Sequence, residues 1–419
     1  MIATYVAPER TYVWVIPHNG PVAFVAAPLG EQALTSDVTT LRRALDPRVA
    51  TLGEIPEFDV ALAHRLYSAL LEPVQIAWQH AEALLVVPDR ALGQVPFALL
   101  VTRPGRLGPE RSELFANYRD VSWLVRTHAV TVLPSVSALV TLRNLPSGDP
   151  TRRPFVGFGD PYFSREQARQ ARERVPAAAA ATSLRSVPLV LRDLRIQPLD
   201  SARLGILPRL PETADEIRSI AAALGADPAR DLFLGEQANE RTVKTLDLAR
   251  YRVLAFATHG LVPGDLDGLT QPALALTAPE VAQVDGDGLL TMEEILGLRL
   301  NADWVVLSAC NTASGRGAGA EAVSGLGRAF FYAGARALLV SHWPVETTSA
   351  RFLTTDLFQS QRNNPGLGRA RALQQTMNAL IDEGRFRDPT TGQTVYSYAH
   401  PIFWAPFTLV GDGGGGAAP

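Results

Sequence analysis

The sequence has a single cysteine, Cys310, among its 419 residues. One cysteine can form neither an intrachain disulfide nor a zinc site built from several thiolates, so the composition fits a reducing compartment. The first residues show neither a charged region nor the apolar stretch of a secretory signal. We therefore expect a cytoplasmic protein.

Charge of one sign and long apolar runs are also absent. The formal net charge is −3 and the calculated pI is about 6.2, so no global basic field favours nucleic acid or an anionic membrane. No apolar run approaches the ~20 residues that a membrane-spanning helix needs. Hydrophobic residues make up 47% of the chain and charged residues 19%, which is enough apolar surface for large buried cores.

Short apolar runs alternate with helix-forming stretches along most of the chain. This alternation predicts an α/β protein with a mainly parallel sheet flanked by helices. The stretch 144–153 holds two prolines, a glycine and an Asp-Pro pair, as linkers do. We therefore expect an amino-terminal α/β domain over 1–150, a second α/β domain over 151–411 and a flexible glycine-rich tail over 412–419.

The second half of the sequence contains a long irregular stretch followed by a helix-start pattern. The periodic pattern is lost between Arg165 and Pro211, where arginines and prolines are scattered, and this predicts a long mobile loop. Thr213 and Glu216 then stand three residues apart at the start of a helical pattern, the spacing of a capping box. That helix is expected to end before Gly225.

A histidine and the cysteine follow two successive apolar runs. Residues 253–257 lead to His259 and Gly260, and residues 304–308 lead to Cys310, which is 310 − 259 = 51 residues after His259. Ligand sites in open parallel sheets form beyond the carboxyl ends of strands. There, an imidazole can deprotonate a thiol and later protonate a leaving amine. The backbone N–H groups of Gly260 and Cys310 could together form an oxyanion hole, because glycine allows close approach.

Simpler interpretations exist for each residue alone. A single cysteine at a strand end is usually an inert apolar side chain, and a histidine beside glycine is usually structural. It is the combination of the two strand ends that favours catalysis. His342 ends the strand after Cys310 and is the rival candidate for the base.

Several motifs resemble the CHAT domain family of caspase-like, clan CD cysteine peptidases. The matching stretches are 256–260, 307–312 with Gly315, 325–330, 333–335, 341–345 and 400–407, together with 86–89, Leu92 and 96–97 in the first half. The resemblance implies a caspase-like α/β fold, a His259–Cys310 dyad and peptide-bond hydrolysis without a cofactor or metal. It also implies kinship with separase, in which an inactive α/β half precedes the active one. The caspase signature Gln-Ala-Cys-x-Gly is absent, so cleavage after aspartate is not implied.

Two carboxylates are candidates for substrate binding. Asp160 ends the first strand of the second half, and Glu346 follows the strand after Cys310. Either could bind a Lys or Arg side chain at P1, the substrate residue before the cleaved bond. The alternatives are a simple turn at Asp160 and a charge at a helix start for Glu346.

The leading hypothesis is a cysteine endopeptidase acting on a protein substrate, gated by the 165–211 segment or by a regulatory activator protein. A catalytically silent protein-interaction platform and an amidohydrolase of small amides are the alternatives. The stretch 283–294 partly resembles a calcium-binding EF-hand loop, but it has Gln283 at the first ligand position. Residues Thr291 to Glu294 within it read as a capping box.

Overall fold

The structure is a computed structural model. It describes residues 1–47, 49–145, 148–173, 204–266, 268–309, 325–388 and 392–414. Cys310 and all residues from 174 to 203 therefore lie outside the described residues. No helix within the described part has both the length and the apolar character needed to cross a membrane.

The strands are numbered in chain order. They are β1 (Ile2–Val6), β2 (Thr11–Val15), β3 (Ala23–Ala27), β4 (Ala83–Val87), β5 (Ala129–Val132), β6 (Arg153–Gly159), β7 (Leu232–Leu234), β8 (Tyr251–Ala257), β9 (Gly260–Leu261), β10 (Ala273–Ala275), β11 (Leu289–Thr291), β12 (Trp304–Ser308), β13 (Ala337–Ser341), β14 (Arg385–Arg387), β15 (Thr394–Ser397) and β16 (Phe407–Gly411).

The α-helices are numbered in the same way. They are α1 (Glu31–Arg42), α2 (Val60–Leu70), α3 (Val136–Arg143), α4 (Arg165–Glu173), α5 (Glu212–Leu224), α6 (Pro228–Asp231), α7 (Glu240–Thr245), α8 (Pro279–Ala282), α9 (Met292–Leu296), α10 (Gly325–Ala333), α11 (Thr347–Asn363), α12 (Arg369–Asp382) and α13 (Pro401–Trp404).

Eleven of the strands form one sheet in the order β3-β2-β1-β4-β5-β16-β13-β12-β8-β6-β7. The pairs β1–β2, β2–β3 and β13–β16 are antiparallel, and the other neighbours are parallel. The expected fold class, a mainly parallel α/β sheet flanked by helices, is confirmed.

Strands of both predicted domains belong to this one sheet. β5 from the first half pairs with β16, the last strand of the chain, and β16 pairs with β13. Of the predicted tail, Gly413 accepts a hydrogen bond from the N–H of Ala370 at 3.0 Å. The division at residue 150 stays a prediction about how the chain is organised.

The central strands are buried on both faces, which explains their continuous apolar sequences. In β12, Val306 packs into one hydrophobic cluster, whereas its neighbours Val305 and Leu307 pack into another. Successive side chains of a strand point to opposite faces, so both faces must be covered by helices. Helices α5 and α11 cover the first of these faces.

The expectation of a loop from Arg165 to Pro211 is wrong in its first part. Residues 165–173 form α4, where Arg169 is within ion-pair distance of Glu166 and Glu173 at helical spacing. Such pairs stabilise a polar helix that has little apolar periodicity, which is why the sequence pattern missed it. Residues 204–206 form a single helical turn, and 174–203 lie outside the described residues.

Candidate active site

Three parallel strands end side by side and define the edge at which the candidate residues lie. Gly159 of β6 is paired with Ala257 of β8, and Ala257 is paired with Ser308 of β12. Asp160 follows the first strand directly. His259 follows the second by two positions, and in the sequence Cys310 follows the third by the same two positions.

The imidazole of His259 is fully buried and has a defined orientation. Its Nε2 lies 2.8 Å from the carbonyl oxygen of Pro208. Because a carbonyl oxygen can only accept, Nε2 carries a proton in this contact. In a neutral ring, Nδ1 is then the basic nitrogen. The ring of Phe163 packs beside the imidazole with centroids 5.5 Å apart.

Gly260 belongs to β9, which pairs with the antiparallel strand β10. The N–H of Ala275 donates to the carbonyl of His259 at 2.9 Å, and Gly260 is the partner of Leu274. Bonded and non-bonded pairs alternate in an antiparallel ladder, so Gly260 stands in a non-bonded pair. Its N–H therefore points away from β10. This orientation is a requirement for an oxyanion donor.

Cys310 itself lies outside the described residues, but the residue bonded to it is described. Ala309 is fully buried, and its carbonyl oxygen accepts a hydrogen bond from the Ser341 hydroxyl at 2.5 Å. Adjacent strands β12 and β13 are thus tied together at their carboxyl ends. The roles of Cys310 as nucleophile and oxyanion donor stay predictions.

Asp160 forms a bidentate ion pair with Arg209. The guanidinium Nε and Nη2 lie 2.8 and 2.6 Å from the two carboxylate oxygens, and the guanidinium carbon is 4.9 Å from the centre of the Tyr162 ring. Burial raises the pKa of Asp160, although Arg209 opposes that rise. The hydrogen bonds to Asp160 raise the pKa of Arg209. The predicted substrate carboxylate is thus already engaged by a cation of the same chain.

Glu346 is also engaged within the chain. It is buried at the start of α11, where its carboxylate accepts from the N–H groups of Thr348 at 3.0 Å and Ser349 at 2.7 Å. Burial raises the pKa of Glu346, and these backbone donors oppose the shift. The carboxylate caps the helix, the role that the simpler interpretation of this residue gave it.

His342 is poorly suited to act as the base. Its Nε2 is 2.8 Å from the hydroxyl of Thr408, and Arg42 donates to its backbone carbonyl at 3.0 Å. Burial, with a contribution from the Arg42 charge, lowers the pKa of His342 to about 3. A base of so low a pKa holds almost no proton at neutral pH and is a weak proton acceptor.

The expected capping box at Thr213 and Glu216 is wrong. The helix begins after Pro211 and has no side-chain cap. It does end before Gly225, and that glycine is in the left-handed conformation. The Thr213 hydroxyl instead accepts from the Asp160 N–H at 2.7 Å. The Thr-x-x-Glu spacing fits either role, and tertiary packing decided between them.

Glu216 lies close to the candidate site, a position that the sequence patterns did not reveal. It is fully buried, and its two oxygens accept from the hydroxyls of Ser308 at 3.2 Å and Thr354 at 3.3 Å. The carboxylate therefore lies beneath the end of β12, two residues before Cys310. A buried Glu near a strand end is the kind of polar group that needs partners, but its partners are distant in sequence.

The calcium-like stretch has its own structural explanation. Thr291 and Glu294 form the expected capping box of α9, with the Thr291 N–H 2.9 Å from the Glu294 carboxylate. Asp285 is exposed and pairs with Arg241. Among the residues that the structure describes, no three His, Cys, Asp or Glu side chains cluster as metal ligands.

Comparison with known proteins gives a family and distant relatives. The family model described as "CHAT domain" matches residues 60–412. Tetratricopeptide repeat protein 28 from Mus musculus is 27% identical over 233 residues, covering 48% of this chain and 9% of that protein. The Homo sapiens protein of the same name is also 27% identical over 233 residues, and the match covers 8% of that protein. The chain thus spans less than a tenth of these relatives.

Two solved structures align with most of the chain at low sequence identity. The Saccharomyces cerevisiae separase–securin complex aligns with 85% of this chain and 17% of that one, at 12% identity and a TM-score of 0.39. Porphyromonas gingivalis RgpB, solved as pro- and mature domains, aligns with 92% of this chain and 76% of that one, at 10% identity and a TM-score of 0.42. The family model, which spans most of the chain, decides the identity: the chain belongs to the CHAT domain family.

Proposed function

We propose that the chain is a cysteine endopeptidase in which Cys310 is the nucleophile and His259 is the general acid–base. The observation that carries the proposal is the setting of His259. It is buried at the carboxyl edge, with Nε2 held by the Pro208 carbonyl, two positions after β8, the strand that neighbours β12. The only cysteine of the chain follows β12 by two positions. Membership of the CHAT family supports the same assignment.

The proposed reaction follows from these groups. The Cys310 thiol transfers its proton to Nδ1 of His259, and the thiolate forms a bond to the carbonyl carbon of the substrate. The N–H groups of Gly260 and Cys310 hold the oxyanion. The carbon–nitrogen bond then breaks as the imidazolium returns the proton to the amine. Water, deprotonated by His259, hydrolyses the thioester and restores the thiol.

The test is cleavage of a denatured cytosolic proteome, read by sequencing new amino termini. Wild-type protein is expected to generate termini that are absent with Cys310→Ala and His259→Gln. His80→Gln is the matched control, because His80 is exposed and is distant in sequence from the carboxyl ends of β8 and β12. Absence of any Cys310-dependent terminus, also after addition of cell extract as a source of activator, would favour the catalytically silent platform instead.

A basic P1 preference is part of the proposal. Asp160 and Glu346 are the two candidate carboxylates for it, and either would have to exchange a partner inside the chain for the substrate cation. Peptide reporters that differ only at P1 test this preference. Arg and Lys reporters should be cut faster than Asp reporters, and equal or better cleavage after Asp contradicts the assignment.

Restraint of the enzyme by the 165–211 segment or by a partner protein completes the proposal. Contacts of Pro208 and Arg209 with His259 and Asp160 support a link between this segment and the site. If the segment is cut by the enzyme itself, wild type yields two fragments on a denaturing gel, whereas Cys310→Ala stays a single band. A cytoplasmic location is proposed with it, on the single cysteine alone.

A further inference from the structure

Residues 207–210 (the 207–210 segment) lie at the carboxyl edge, and each of the four is held there by a hydrogen bond. The side-chain amide of Gln167 in α4 donates to the Leu207 carbonyl at 2.7 Å, and Leu207 is fully buried. The next carbonyl, that of Pro208, accepts from His259. The segment is therefore fixed on one side of the imidazole by α4 and the small core beneath it.

On the other side of Pro208, the segment is fixed by Asp160. Its carboxylate binds the guanidinium of Arg209 through two hydrogen bonds. Its backbone N–H donates to the hydroxyl of Thr213, which in turn donates to the carbonyl of Leu210 at 2.7 Å. The carboxylate of Asp160 thus holds Arg209 directly, and its backbone N–H holds Leu210 through Thr213.

The backbone of Asp160 adopts a conformation that is uncommon for residues other than glycine. Its φ is 51°, in the left-handed region, where aspartate is one of the few tolerated side chains. This turn directs the carboxylate from the end of β6 toward Arg209. The side chain of Asp160 is 8% exposed and that of Arg209 is 24% exposed, so the pair is largely shielded from water.

We propose that Asp160 and Arg209 are positioning residues, whose ion pair holds the Pro208 carbonyl against Nε2 of His259 and so fixes the tautomer of that imidazole. The inference deepens the proposed function and rests on it in treating His259 as the base. It assigns Asp160 to positioning, which leaves Glu346 as the candidate carboxylate for a basic P1 side chain. A bidentate Arg–carboxylate pair fixes geometry better than a single contact. Displacement of the carbonyl from Nε2 removes a contact that favours the Nε2-protonated tautomer.

The first measurement needs no peptidase activity. Full-length protein labelled with ¹⁵N-histidine gives ring-nitrogen signals, and the His259 signal is assigned by its loss in His259→Gln. Wild type should show His259 protonated at Nε2 at neutral pH. Asp160→Asn and Arg209→Met should reduce that tautomer preference, and Arg209→Lys should do so less. Arg250→Met is the matched control, since Arg250 pairs with Asp247 on the surface.

The second measurement separates positioning from substrate binding. Removing the ion pair should lower kcat by about 10-fold to 100-fold for every P1 reporter alike, as expected when a catalytic group is displaced. A loss confined to Arg and Lys reporters would instead make Asp160 a substrate-binding residue and overturn the proposal. If wild type cuts nothing, the proposed function fails, and the tautomer measurement still decides the inference.

Unfolding of a single variant does not prevent the test. The double variant Asp160→Asn/Arg209→Met removes both charges and leaves no unpaired charge buried. Circular dichroism establishes that each variant is folded. Folded variants whose His259 ring signals are identical to those of wild type, at every pH from 5 to 9, overturn the proposal.

Discussion

Two buried histidines should make the protein sensitive to acid. Burial lowers the pKa of His342 and of His400 to about 3, from an ordinary value of 6.5. Nδ1 of His400 accepts from the Ile402 N–H at 3.2 Å, and the Tyr118 ring packs at 4.7 Å, so protonation would disrupt existing contacts. Below pH 6.5 the unfolded chain binds protons at both sites while the native chain does not.

Acid should therefore lower the free energy of unfolding. The stabilising contribution of each neutral histidine is fully present above pH 6.5 and is lost as the pH falls toward 3. One pKa unit corresponds to about 1.4 kcal/mol, so each site loses about 2 kcal/mol of unfolding free energy between pH 6.5 and pH 5. Both sites together lose about 4 kcal/mol, a large part of the 5–15 kcal/mol that is typical of folded proteins.

Urea unfolding at pH 8 and at pH 5 measures this loss. The double variant His342→Gln/His400→Asn should lose about 4 kcal/mol less than wild type over that interval, and each single variant about 2 kcal/mol less. Asparagine can still accept the Ile402 N–H at the helix start. His80→Gln should behave as wild type. Equal losses in wild type and the double variant would refute the reasoning.

Three further substitutions test individual contacts. Glu216→Ala removes a buried carboxylate that accepts from the hydroxyls of Ser308 and Thr354 and should lower the unfolding free energy by about 2–4 kcal/mol, measured by urea titration. Glu346→Ala removes a helix cap and should cost about 1 kcal/mol, whereas an unchanged midpoint would contradict the capping role. Tyr118→Phe removes the acceptor of the buried Phe58 N–H, 2.8 Å away, and should cost about 1–3 kcal/mol in the same titration.

The fold class and the position of the site edge could be predicted from sequence. The apolar runs 253–257 and 304–308 are adjacent parallel strands, because continuous apolar sequences suit strands that are buried on both faces. The candidate residues that follow these runs in the sequence are therefore expected at one edge. By contrast, α4 was missed, because its stability comes from charge pairs and not from an apolar face.

What the amino-acid order alone could establish was therefore the alternation of strands and helices and the residues at the strand ends. Only the packed chain could bring Pro208 to His259 across 51 positions, Arg209 to Asp160 across 49 and Ser308 to Glu216 across 92. No local pattern encodes such contacts, because they depend on how separate elements pack. The local signal at Thr213 fitted two roles, and its hydrogen-bond partners in the packed chain selected one.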